Sequence, residues 1–103
     1  MAYTKERKKL EKLSEKTAAL QNYDDKSLAV ITDIYEQYSH TARILKNKDA
    51  ELFNNLYLNE LNQVKECKRS LKAAEDRQAN FIKYKETLLD ALNKTVQAAK
   101  DVI

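Results

Sequence analysis

The chain has 103 residues, with 19 Lys and Arg, 16 Asp and Glu, one His, one Cys, and neither Gly nor Pro. Average usage would supply about twelve Gly and Pro, so most β hairpins and every Gly-rich phosphate loop are excluded. A net charge of +3 with 43% hydrophobic residues fits a single helical domain over residues 1–103, too patterned for disorder and without the apolar run of a membrane span.

From Tyr3 one heptad frame passes through Leu10, Leu13, Leu20, Ile31, Ile34, Tyr38 and Leu45, with Thr17, Asp24, Ser27 and Thr41 among its polar guests. It predicts a helix over about residues 4–45, with Thr4 as its N-cap. Residues 22–27, Asn-Tyr-Asp-Asp-Lys-Ser, compete for backbone hydrogen bonds and form a weak point. The frame is the same on both sides of it, so a kink within a continuous helix is expected there. Lys46-Asn47-Lys48-Asp49 is the expected reversal. Asn47 tolerates the left-handed conformation that ends helices, Asp49 can cap the next helix, and Glu51 suits its first turn.

A second frame runs through Tyr57, Val64, Cys67, Leu71, Ala74, Phe81, Leu88, Leu92, Ala99 and Val102, widened by Leu61, Ile82, Leu89, Val96 and Ile103. Good helix formers fill residues 72–79, so this helix is expected to run unbroken over about residues 50–101. The predicted fold is all-α, an antiparallel two-helix hairpin resembling a coiled coil, with rods of about 60 and 75 Å. Its register sets Tyr38 opposite Tyr57 and Leu13 opposite Phe81. The alternative is a four-helix up-down bundle, with further breaks near residues 22–26 and 73–79.

His40 and Cys67 are the only soft ligands and sit several turns apart in the hairpin, so no metal site and no cofactor is expected. Neither has the neighbours of a nucleophile or general base, and a two-helix rod offers almost no cleft; a non-enzymatic role follows. What the hairpin leaves bare is apolar. Leu88, Leu89, Leu92, Val96, Ala99, Val102 and Ile103, together with Tyr35 and Phe53 near the turn, are the expected partner-binding residues. Burying each Leu or Val side chain is favourable by roughly 1.5 to 3 kcal/mol, so another helical protein or a second copy should cover them. Lys65, Lys68, Arg69 and Lys72 form a basic stripe that could meet anions. The function expected is therefore an adaptor that binds another helical protein through an apolar stripe. The alternative is a basic coiled coil binding nucleic acid or an anionic membrane surface.

A central turn at Lys46-Asn47-Lys48-Asp49 between two long helices, with the stretch Glu66-Cys67-Lys68-Arg69-Ser70-Leu71-Lys72-Ala73-Ala74-Glu75-Asp76-Arg77, resembles the small helical-hairpin accessory proteins of type VII secretion that accompany LXG-domain toxins. The family's Trp-Xaa-Gly turn and C-terminal aromatic-plus-acid export motif have no counterpart here. The resemblance implies a targeting or chaperone role toward a toxin's helical N-terminal domain. A single cysteine, Cys67, cannot form an internal disulfide, which fits a cytoplasmic protein. The resemblance adds export beside its partner by a non-classical route as the further option.

Overall fold

A computed structural model describes residues 3–21, 23–73 and 76–100. They form α1 (Thr4–Ala19), α2 (Asp25–Lys48), α3 (Ala50–Asn55), a π-helical turn (Leu56–Glu60), α4 (Leu61–Ala73) and α5 (Arg77–Lys100). The α3 helix, the π turn and α4 follow one another without a gap, so the described chain makes four helical rods and is all-α. The two-helix hairpin is not what forms. Its longer rod would reach about 75 Å, whereas the longest dimension of the molecule is 44 Å.

Each reversal is made by an aspartate. Asp24 accepts the N–H of Ser27 at 2.7 Å, Asp49 that of Leu52 at 3.3 Å, and Asp76 that of Ala79 at 3.0 Å. In all three the carboxylate satisfies a backbone donor that the first helical turn leaves open, three residues on. The weak point at residues 22–27 is thus a full break. The stretch of helix formers at 72–79 also contains one, because the Asp76 cap outweighs propensity that favours helix by only tenths of a kcal/mol per residue. At the central turn Asp49 caps as expected, but Asn47 remains helical within α2. The only described non-Gly residue with positive φ is Tyr3, at 62°. Tyr3, not Thr4, is the N-cap of α1, and it makes no side-chain cap bond.

The rods close into a ring: α1 packs most extensively on α5, α5 on α4, α2 on α1, and α2 on α3 and the π turn. Leu10, Leu13, Ile31, Ile34, Tyr38, Leu45, Phe53, Val64, Phe81, Leu88 and Leu92 lie in one shared core, each no more than 2% exposed. Three threonines, Thr17, Thr41 and Thr95, are buried there. Thr17 and Thr95 each donate the hydroxyl to the carbonyl four residues back, Leu13 and Ala91, so neither leaves its proton unused. The buried Thr41 hydroxyl, by contrast, has no partner among the described residues. In the π turn the Leu61 N–H reaches the Leu56 carbonyl. Leu61 lies in the core just after this turn, and Glu60, its last residue, meets Lys94 at 3.4 Å.

The register differs from the hairpin's. Tyr57 lies under Lys46, 4.7 Å from its ring, while Tyr38 bonds Thr95 of α5. Between α1 and α5, Ser14 donates to Asn93 at 2.8 Å and Lys85 donates to the Leu20 carbonyl at the end of α1. Among the described residues no helix is long and apolar enough to cross a membrane.

Candidate functional site

Bundle closure changes the standing of the expected partner surface. Leu88 and Leu92 are fully buried, Ala99 is 2% and Val96 8% exposed, and Leu89 is half-buried. The second apolar stripe of the C-terminal half faces other helices of its own chain, as a helix in a four-helix core requires. Phe53 is buried edge-on against Tyr3, with ring centroids 5.4 Å apart. Val102, Ile103 and the Lys72 side chain lie outside the described residues. Leu58 is the one large hydrophobic side chain that stands exposed among the described residues. Among the described residues, therefore, the apolar stripe of the C-terminal half is not bare.

One seam of the ring is open. The α2 and α4 backbones do not approach closely along their length, unlike the other neighbouring pairs. Tyr35 from α2 and Lys65, Lys68 and Arg69 from α4 line a cavity of about 270 Å³ there. The Lys68 Nζ stands 4.8 Å over the Tyr35 ring, close enough for the cation to be attracted by the ring face. Burial raises the Tyr35 phenol pKa, and Arg69 acts against it. The structure thus joins two groups that the sequence placed apart, the aromatic Tyr35 and the basic stripe. It separates Tyr35 from Phe53.

Further along the seam a second cavity of about 430 Å³ lies between Tyr23, Leu28, Leu71 and Tyr84, with Lys68 and Arg77 also lining it. Tyr23 is set there by an N–H bond to Gln78 at 2.6 Å and by edge-on contact with Phe81 at 5.9 Å. The Tyr84 hydroxyl is buried with no hydrogen-bond partner among the described residues. Its pKa is pushed up, chiefly by burial. Tyr84 and Arg77 were missed from the sequence because they sit off the heptad frame that defined the expected core. The signal available was Arg77 immediately after a helix-capping Asp76.

The two soft ligands stay apart. His40 is exposed on α2 beside Lys5 and Lys9 of α1. Cys67 is half-buried on α4, with its sulfur 3.5 Å from the Thr87 hydroxyl. Among the described residues no three His, Cys, Asp or Glu side chains converge as a metal site would need. Set against protein-family models, curated proteins and solved structures, the chain matches none.

Proposed function

We propose that this chain is a non-enzymatic adaptor that binds an acidic, helical segment of a partner protein along the open seam between α2 and α4. The observation that carries the reading is the gathering of Lys65, Lys68 and Arg69 around Tyr35. An aromatic ring with a polar tip, flanked by cations, suits the anchor of a protein interface, where Tyr and Arg are enriched. The seam is flanked by helices on both sides, and an amphipathic helix would lie across it with its carboxylates toward α4. Its apolar side would meet the small exposed edge of Tyr35, which is otherwise buried at 9% exposure. A toxin's helical domain under escort during secretion is one partner class that would present such a segment.

Fluorescence anisotropy with a labelled acidic amphipathic helical peptide tests this. Binding should weaken as salt rises, and Lys65→Glu with Arg69→Glu should abolish it while the bundle stays folded. A neutral peptide with the same apolar face should bind about tenfold more weakly or worse. Unchanged affinity in the charge-reversed variant would remove the proposal. Tighter binding of duplex DNA or of anionic vesicles would instead favour the basic nucleic-acid or membrane-surface reading.

A further inference from the structure

Tyr35 of α2 and Tyr57 of the π turn are held in a reciprocal arrangement. Lys46 follows Tyr35 by eleven residues and Lys68 follows Tyr57 by eleven, about three helical turns in each case. Each lysine crosses to the other element's tyrosine: Lys46 lies 4.7 Å over the Tyr57 ring and Lys68 4.8 Å over the Tyr35 ring. Each ring therefore holds one ammonium group against its face. Three further cations, Arg43, Lys65 and Arg69, stand exposed. Lys65 and Arg69 line the cavity at Tyr35. At Tyr57 a hydrogen bond from Arg43 lowers the phenol pKa, and Lys46 and Lys65 add to that effect. Lys65 is common to both clusters, so they adjoin.

The charge gathered there is out of proportion to the chain. Five cations meet at this seam, whereas the whole molecule carries a net charge of +3. None of the five pairs with a carboxylate among the described residues. Like charges held together without counter-charges repel one another, and a bound anion relieves that repulsion. A carboxylate brings one negative charge. A phosphomonoester brings about −1.5 to −2 at pH 7 with three acceptor oxygens, one for each of the exposed cations Arg43, Lys65 and Arg69. The planar fork of an arginine also matches two such oxygens at once. Building on the adaptor reading, we propose that this site takes a phosphorylated side chain of the partner's helical segment. Arg43, Lys46 and Tyr57 thereby join Tyr35 and the α4 cations in the contact surface.

Fluorescence anisotropy of the full chain with one acidic amphipathic helical peptide tests this, the peptide carrying serine, glutamate or phosphoserine at a single position of its polar face. The phosphoserine peptide should bind about tenfold tighter than the serine peptide, with the glutamate peptide between them. Arg43→Gln should remove most of that advantage and leave the serine peptide's affinity nearly unchanged. Arg43→Lys should restore part of it, because the charge returns without the fork. Arg43 is exposed, and an unchanged thermal midpoint in both variants shows that the bundle is intact. Equal affinity for the phosphoserine and serine peptides overturns the proposal and leaves the adaptor reading standing. An advantage unmoved in Arg43→Gln overturns it as well, as does tighter binding of duplex DNA than of the phosphoserine peptide. Failure of all three peptides to bind overturns both readings. Binding of the phosphoserine peptide alone supports the phosphate site and removes docking through carboxylates.

Discussion

The hydroxyls of Tyr38 and Thr95 lie 3.1 Å apart in the core and join α2 to α5 across the bundle. The direction of this bond follows from counting protons. Thr95 already gives its single proton to the Ala91 carbonyl at 2.8 Å, so Tyr38 is the donor and Thr95 the acceptor. The two partners are therefore not equivalent. Thr95→Val strands a buried phenol and should cost about 1 to 3 kcal/mol. Tyr38→Phe leaves the Thr95 bond to Ala91 in place and should cost about 0.5 to 1.5 kcal/mol. Urea unfolding of the two variants checks the order, and a larger loss for Tyr38→Phe would show that the donor assignment is reversed.

The three aspartate caps should behave as separate, similar contributions. Asp24→Ala, Asp49→Ala and Asp76→Ala are each expected to lower stability by about 0.5 to 2 kcal/mol, with Asn replacements close to neutral. Faster amide exchange at Ser27, Leu52 and Ala79 respectively would localise each effect. A cap whose removal changes neither quantity is not closing its helix.

Leu92 distinguishes a folded bundle from a hairpin with a bare end. It is fully buried, so Leu92→Ala should cost about 2 to 5 kcal/mol, and Leu92→Lys should unfold the chain because an unpaired charge cannot be accommodated there. A folded Leu92→Lys protein would place this residue at the surface. Energy transfer between labels at residues 50 and 100 supplies the same distinction by distance. Those positions lie at one end of the bundle and must fall within its 44 Å extent, far below the length of a single helix.

Stability should fall at both ends of the pH scale, for different groups. The Asp24 carboxyl is held below its ordinary 3.8 by the Ser27 backbone N–H, and the Glu6 carboxyl below its ordinary 4.5 by its hydrogen bond from Lys48. Carboxyls lowered in the folded state contribute stability that is fully present above those ordinary values. That contribution is lost as pH falls through the folded-state values. Glu6→Gln should flatten the acid limb. At the alkaline end burial pushes Tyr38 up to about 12. The unfolded chain ionises first there, so stability should decline above about pH 10. Tyr38→Phe removes that contribution, which phenolate absorbance during alkaline unfolding would report.

Much of the core was legible in the sequence, because a heptad frame reports which face of a helix is apolar wherever that helix runs. Leu10, Leu13, Ile31, Ile34, Tyr38 and Leu45 are all buried, and the cap at Asp49 was readable from its neighbours. The number of rods was harder to read. The frame keeps its phase across residues 20–24, so periodicity alone does not separate a kink from a reversal. The doubled stripe formed by Leu88, Leu89, Leu92 and Val96 looked like surface awaiting a partner, although a helix flanked by two others needs the same pattern. The shared cue was an Asp three residues before an N–H that lacked a helical acceptor, at Asp24, Asp49 and Asp76. The basic half of the candidate site was visible as a stripe. Its meeting with Tyr35 was not, because the hairpin register, with Tyr38 opposite Tyr57, sets Tyr35 opposite Glu60 rather than beside Lys65, Lys68 and Arg69.

The link after α1 lies against the first turns of α5, where Tyr23 meets Gln78 and Phe81, so the two arms of the chain bend at one level. The molecule has a crease. Along it α1 remains beside α5 and α2 beside α3 and the π turn, as in a long hairpin, but the halves are folded face to face through α1 on α2 and α4 on α5. Opening at the crease would lengthen the particle from 44 Å toward about 75 Å with hardly any change in helix content. Circular dichroism would be nearly blind to that motion, whereas a diffusion coefficient would register it directly.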